Sequence, residues 1–121
     1  MPIVDIEIVL KPSETLRESL VSDIADALGK IFNSPQGGTW VKLHELSSDN
    51  YAENDEEQNS VHPIFVRIIK SQLPDAAVLQ TEAEELSNTI ALICGRPPEN
   101  VHTIFEPQGT GRVAFGGKVV S

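Results

Sequence analysis

Pro2 is the residue of this chain best suited to chemistry on carbon. It stands immediately before an apolar, alternating segment, and its small size makes removal of Met1 the normal expectation. Removal leaves a secondary amine on a rigid ring at the edge of a sheet. Burial in an apolar pocket disfavours the charged ammonium and lowers its pKa. A neutral amine accepts a proton from carbon, which is what a general base in keto–enol chemistry must do. Met-Pro starts are also common in unrelated chains, so this residue needs support from its surroundings. The net charge of −9, from 18 acidic and 9 basic side chains, repels phosphate backbones and anionic lipid surfaces. Nucleic-acid and membrane partners are therefore not expected. Within so acidic a chain, cations inside strands either form a local positive pocket for a small anionic substrate or stand as ordinary sheet-surface charges.

Other catalytic signatures are missing. There is no Gly-rich phosphate loop and no Gly-x-Ser-x-Gly turn. His44, His62 and His102 lack metal-ligand spacing, so no metal site and no cofactor are expected. Cys94, the single cysteine, lies on the apolar stripe of a helix and reads as buried and inert. With no internal disulfide possible, a reducing, cytoplasmic setting is the natural expectation. Every long apolar stretch is broken by charges, so no transmembrane helix is expected. The N-terminus lacks the basic start and cleavage site of a signal peptide.

The elements that must position Pro2 follow from periodicity. Val4, Ile6, Ile8 and Leu10 alternate with Asp5 and Glu7, the pattern of a half-buried strand. Leu16, Leu20, Ile24, Leu28 and Ile31 recur at helical spacing, with Ser13 as the expected N-cap and Glu14 in the first turn. Asn33-Ser34-Pro35-Gln36-Gly37-Gly38 ends that helix, and Thr39 to Leu46 is the second strand. Residues 47–60 are polar and acidic, the composition of a solvated loop, with room for a short hairpin around Tyr51. The order then repeats. Pro63 to Lys70 is a strand, Pro74-Asp75 opens a helix, Gly95-Arg96-Pro97-Pro98 stops it, and Val101 to Glu106 is the fourth strand.

Laid over one another, the halves 1–60 and 61–121 put Pro12 on Pro74, Ile24 on Leu86, Leu28 on Ile90 and Pro35 on Pro97. Each half is a β-α-β unit, whose crossover makes its strands parallel. The expectation is a single α+β domain over residues 1–121. In it, a four-stranded mixed sheet carries two helices on one face. The other face keeps apolar residues that nothing in the chain remains to cover, so a homo-oligomer is expected.

Four features together resemble the tautomerase superfamily. This group includes 4-oxalocrotonate tautomerase, 5-carboxymethyl-2-hydroxymuconate isomerase and macrophage migration inhibitory factor. The features are Met1-Pro2-Ile3 leading into the first strand, the β-α-β unit, its duplication, and the ending Gly111-Arg112-Val113-Ala114-Phe115-Gly116-Gly117. The ending resembles the family's Gly-rich hairpin, which pairs with a neighbouring subunit in a trimer. The resemblance implies a homotrimeric tautomerase or isomerase of a small 2-oxo acid or enol, with Pro2 as catalytic base. It also implies nearby cations for a substrate carboxylate and the developing enolate. Arg67 and Lys70 match the placement of basic residues in some two-unit relatives, and Arg112 is a third candidate. Pro63 opens the second unit, but its nitrogen lies in a peptide bond. The chain departs from the family's arginine pattern, with Lys11 after the first strand and Trp40 and His102 in the second strands. Two other readings fit the same residues: a noncatalytic trimeric module on this scaffold, and a ferredoxin-like small-ligand-binding protein.

Overall fold

The computed structural model describes residues 2–121, so the expected removal of Met1 concerns a residue outside them. The first strand, β1 (Ile3–Val9), buries Val4, Ile6 and Ile8 on one side and turns Ile3, Asp5 and Glu7 to the other, as its alternation predicts. It is followed by α1 (Leu20–Ile31), β2 (Trp40–Leu46), β3 (Ile64–Ile69), α2 (Ala76–Cys94) and β4 (Val101–Phe105). These strands form one sheet in the order β2-β1-β3-β4. β1 runs parallel to β2, β3 runs parallel to β4, and the two units meet antiparallel through β1 and β3. In a split ferredoxin-like unit a foreign strand separates the two strands of each crossover. Here they are hydrogen-bonded neighbours, and that alternative is set aside.

Ile24 and Leu28 of α1 and Leu86 and Ile90 of α2 pack over Ile6, Ile8, Ile64 and Ile68, all fully buried. Each contributes about 1.5–3 kcal/mol of burial, enough to bind both helices to one face. α2 begins and ends where its sequence predicts. The Asp75 carboxylate accepts from Val78 N–H at 3.0 Å, and Gly95 closes the helix in the left-handed region at φ 69°.

The first helix corrects its prediction. Ser13 does not cap it, since its φ is +63° and α1 starts only at Leu20. Glu14 is not in a first helical turn either. Its carboxylate is bound by Arg96 at 2.6 and 3.0 Å and also accepts from Lys11 N–H at 3.0 Å. That anchoring holds residues 11–14 in a turn at the end of β1, while Leu16 reaches the core from outside the helix. No hairpin forms around Tyr51. A single 3₁₀ turn, Ser48–Asn50, precedes it, and its ring leans on Phe65 with centroids 5.8 Å apart.

The C-terminal segment forms the expected hairpin, β5 (Ala114–Phe115) and β6 (Lys118–Val119). Gly116 and Gly117 turn it with φ 57° and 88°, the positive pair that a two-residue hairpin loop requires. Phe115 meets Trp40 edge-on at 5.3 Å. The sheet face away from the helices mixes Ile3, Phe65, Ile69 and Ile104 with the ion pairs Lys42–Asp5 and Arg67–Glu106.

Candidate active site

One end of the sheet gathers the starts of β1 and β2 with the end of β3. Ile3 pairs with Ile69, so the next residues outward, Pro2 and Lys70, stand opposite one another. By the strand period both fall on the helix side, with Val4 and Ile68. Pro2 is buried, and its carbonyl accepts from Trp40 N–H at 3.0 Å, which locks the first residue to β2. A cavity of about 260 Å³ opens there, lined by Pro2, Phe32, Lys70, Ser71, Gln72 and the turn from Asn33 to Gly38.

That turn is held from several sides. The hydroxyls of Ser34 and Thr39 share a 2.6 Å hydrogen bond, and Trp40 Nε1–H donates to Gly37 O at 2.9 Å. A Cβ on Gly38 would meet both Cδ and the carbonyl oxygen of Pro35 at 2.9 Å, so only glycine lets the chain fold back this tightly. From the other side, Gly109 N–H donates to Lys70 O at 2.6 Å and Thr110 N–H to Ser71 O at 3.0 Å.

Of the predicted cations, only Lys70 reaches this cavity. Its ammonium contacts both carboxylate oxygens of Glu82, at 3.0 and 3.2 Å, and lies 4.9 Å from the Phe32 ring centroid. The side chains of Lys70 and Glu82 are only 18% and 11% exposed. Arg67 stands on the opposite sheet face, mostly exposed, and pairs with Glu106 at 2.8 Å. Arg112 donates to the carbonyls of Pro107 at 3.0 Å and Gln108 at 3.2 Å, closing its own turn. Neither is among the described residues that line the cavity. Sequence reasoning missed Phe32, Glu82 and the Asn33–Gly38 wall. The Pro35-Gln36-Gly37-Gly38 turn signal marked the wall, whereas nothing local marks Glu82.

The remaining candidates lie elsewhere. His102 stacks against Phe65 at 5.6 Å, and His62 Nε2 lies 3.0 Å from Asn59 Oδ1. Burial, and then the nearby Arg96 charge, hold the His62 imidazole below its usual range. Cys94 is half-buried rather than buried, and the burial it has pushes its thiol up. Among the described residues no group of His, Cys, Asp or Glu is arranged to hold a metal ion, and no helix is long and apolar enough to cross a membrane.

No protein-family model and no curated protein matches this sequence. In three dimensions the chain is similar to solved structures over nearly its whole length. One is a wild-type fused 4-OT symmetric trimer, at 9% identity and a TM-score of 0.78, covering 98% of this chain and 94% of that one. Another is the macrophage migration inhibitory factor of Oncomelania hupensis, at 13% identity and 0.76, covering 100% and 83%. A third is a protein inactivated by 2-oxo-3-pentynoate, at 17% identity and 0.75, covering 98% and 94%. The protein has the tautomerase-superfamily fold.

Proposed function

We propose that the protein is a cofactor-independent tautomerase or isomerase of small 2-oxo acids or their enols, working in the cytoplasm. The amine of Pro2, freed by removal of Met1, is the general base. The observation that carries this reading is the cavity of about 260 Å³ in which buried Pro2 faces Lys70. Drug-sized ligands occupy roughly 300–1,000 Å³, so this volume suits a small acid. The neutral amine removes a proton from the carbon beside the carbonyl and returns it elsewhere on the conjugated system. Lys70 supplies positive charge for the substrate carboxylate or the developing enolate. The inactivation of a similarly folded protein by 2-oxo-3-pentynoate, itself a 2-oxo acid, supports the substrate class.

Assembly belongs to the same reading. Similar folds occur as fused 4-OT trimers, and the sheet face bearing Ile3, Phe65, Ile69 and Ile104 offers a matching contact surface. We assign this chain a homotrimer, with the β5–β6 hairpin as an intersubunit clasp. Arg67, on that face, and Arg112, before the hairpin, bind substrate only across such a contact. Light scattering of the intact chain should give the trimer mass, and deletion of residues 111–121 should weaken it. A concentration-independent monomer would remove both arginines from the site.

A noncatalytic module is the second reading. It draws support from Glu82, which already neutralises the one cation lining the cavity among the described residues. Turnover of enols and 2-oxo acids by protein shown by mass to lack Met1 separates the two. The tautomerase reading requires activity that is largely lost in Pro2→Ala, and an amine that titrates below the roughly 7.7–8.0 of an ordinary α-amino group. Undiminished activity with Met1 attached, or with Pro2 replaced, ends the assignment of Pro2 as base.

A further inference from the structure

We propose that Glu82 sets the substrate class of the Pro2 cavity, restricting it to small monoanionic acids and rejecting dianions of the same length. The inference rests on the cavity being a binding site for organic acids, and adds what charge such an acid carries. Lys70 is the only charged side chain among the described residues that line the cavity; Asn33, Ser34, Ser71 and Gln72 are polar but neutral. Beside a neutral Pro2 amine, the Lys70 ammonium is the positive charge that this described lining offers. Glu82 takes up that charge with both carboxylate oxygens at 3.0 and 3.2 Å. At 18% and 11% exposure, solvent screens this pair far less than a surface pair.

An ammonium has three N–H donors, and one carboxylate does not exhaust them. A single incoming carboxylate can share Lys70 while the remainder of the molecule lies against Phe32, Pro2 and Pro35. A second carboxylate finds no second cation in the described lining of one chain, and Arg67 and Arg112 are held by Glu106 and by the carbonyls of Pro107 and Gln108. That carboxylate meets instead the field of Glu82, held against the Lys70 ammonium at 3.0 and 3.2 Å. Glu82 is thus a repulsive element of the kind that specificity requires, acting on the ligand by offsetting the charge of Lys70. The Phe32 ring, 4.9 Å beneath the ammonium, holds Lys70 within reach of Glu82 whether or not a ligand is bound.

Butyrate and succinate test this, because both have four carbons, both are ionised at neutral pH, and they differ by one carboxylate. Binding to the intact protein is followed by titration calorimetry and by NMR shifts of Ser71 and Gln72. The wild type should bind butyrate about tenfold or more tightly over succinate, the scale at which an uncompensated like charge discriminates. Glu82→Gln should tighten succinate by a similar factor and move butyrate less. Glu82→Asp, which keeps the charge, should retain the wild-type preference. Should Glu82→Gln fold poorly, Gln72→Arg supplies a second cation at an exposed position and should shift the ratio toward succinate.

Tighter binding of succinate by the wild type would overturn the proposal, as would an unchanged ratio in Glu82→Gln and Gln72→Arg. Identical behaviour of the Asp and Gln variants would overturn it too, by reducing Glu82 to packing. Binding of neither acid by any variant would remove the cavity as an acid site. Neither acid is turned over, so the outcome does not depend on Pro2 acting as a base. An inactive protein with the expected ratio would defeat only the tautomerase reading.

Discussion

Two shielded ion pairs sit at opposite ends of the same sheet, and they serve different ends. At the closed end, Arg96 meets Glu14, with side chains 2% and 20% exposed. Its guanidinium has five N–H donors, and all are engaged. They reach His62 O at 2.9 Å, Cys94 O at 3.2 Å, Val9 O at 3.0 Å, and the two Glu14 oxygens at 3.0 and 2.6 Å. That cation ties the end of β1, the loop before β3 and the end of α2 together, and has nothing left to offer a ligand. At the Pro2 end, Lys70 is a compact ammonium with one carboxylate partner and a cavity beside it. Charge and burial are alike in the two pairs. What separates a fully engaged cation from one free to take a ligand is the number of unused donors and the open space they can reach.

The largest expected effect tests the closed end. Arg96→Ala strips the partner from Glu14 and the donors from three carbonyls, and should cost about 3–5 kcal/mol in urea unfolding, as for any broken buried pair. Lys70→Ala should be read in kinetics instead. Loss of its charged hydrogen bond to an anionic substrate should weaken ground-state or transition-state binding by about 1.5–3 kcal/mol, seen as a raised KM or a lowered kcat/KM. If Lys70→Ala destabilised the fold as much as Arg96→Ala and left kinetics unchanged, the two pairs would be equivalent and the contrast would fail.

Acid sharpens the same contrast. The Arg96 guanidinium, and to a lesser degree Lys11 N–H, hold the Glu14 carboxyl below its ordinary 4.5 against the opposing effect of burial. A carboxylate depressed in the folded state contributes stability that is complete above its unfolded value and is lost as pH falls through the folded one. Wild-type protein should therefore lose a component of stability as pH falls below 4.5, and Glu14→Gln should lack it. Urea midpoints of the two proteins at pH 7 and in acid check this. A gap between them that stays constant would place the stabilisation outside the Arg96–Glu14 charge.

The smallest effect belongs to the open face. Lys42 and Asp5 lie 3.0 Å apart with side chains 62% and 43% exposed. Lys42→Ala should change unfolding by no more than about 0–1 kcal/mol, as surface pairs do. A larger loss that grows with protein concentration would mean that another copy covers this face and desolvates the pair.

Much of this architecture was legible in the residues themselves. Alternation at Val4-Asp5-Ile6-Glu7-Ile8 places β1, and Asp75 and Gly95 bracket α2 through local capping chemistry. Pro2 was marked as a candidate base by its position before an apolar strand, taken together with the repeated unit and the Gly-rich ending. Even the separation of Arg67 from Lys70 was readable, because residues three apart on a strand point to opposite faces. Other features arise only when the chain folds. Ser13 and Glu14 carry the signals of a helix start, but Glu14 is claimed by Arg96 from the other half of the chain, and that buried charge-assisted contact outweighs a capping preference of about 1 kcal/mol. Glu82 looks like any acidic residue on a solvated helix face until α2 lies across the end of β3. The sequence by itself determined which stretches are strands and helices, because periodicity and caps act between near neighbours. Which cation was left with a cavity, and which acid pairs with it, depended on contacts between distant residues that only the packing of helices on sheet brings together.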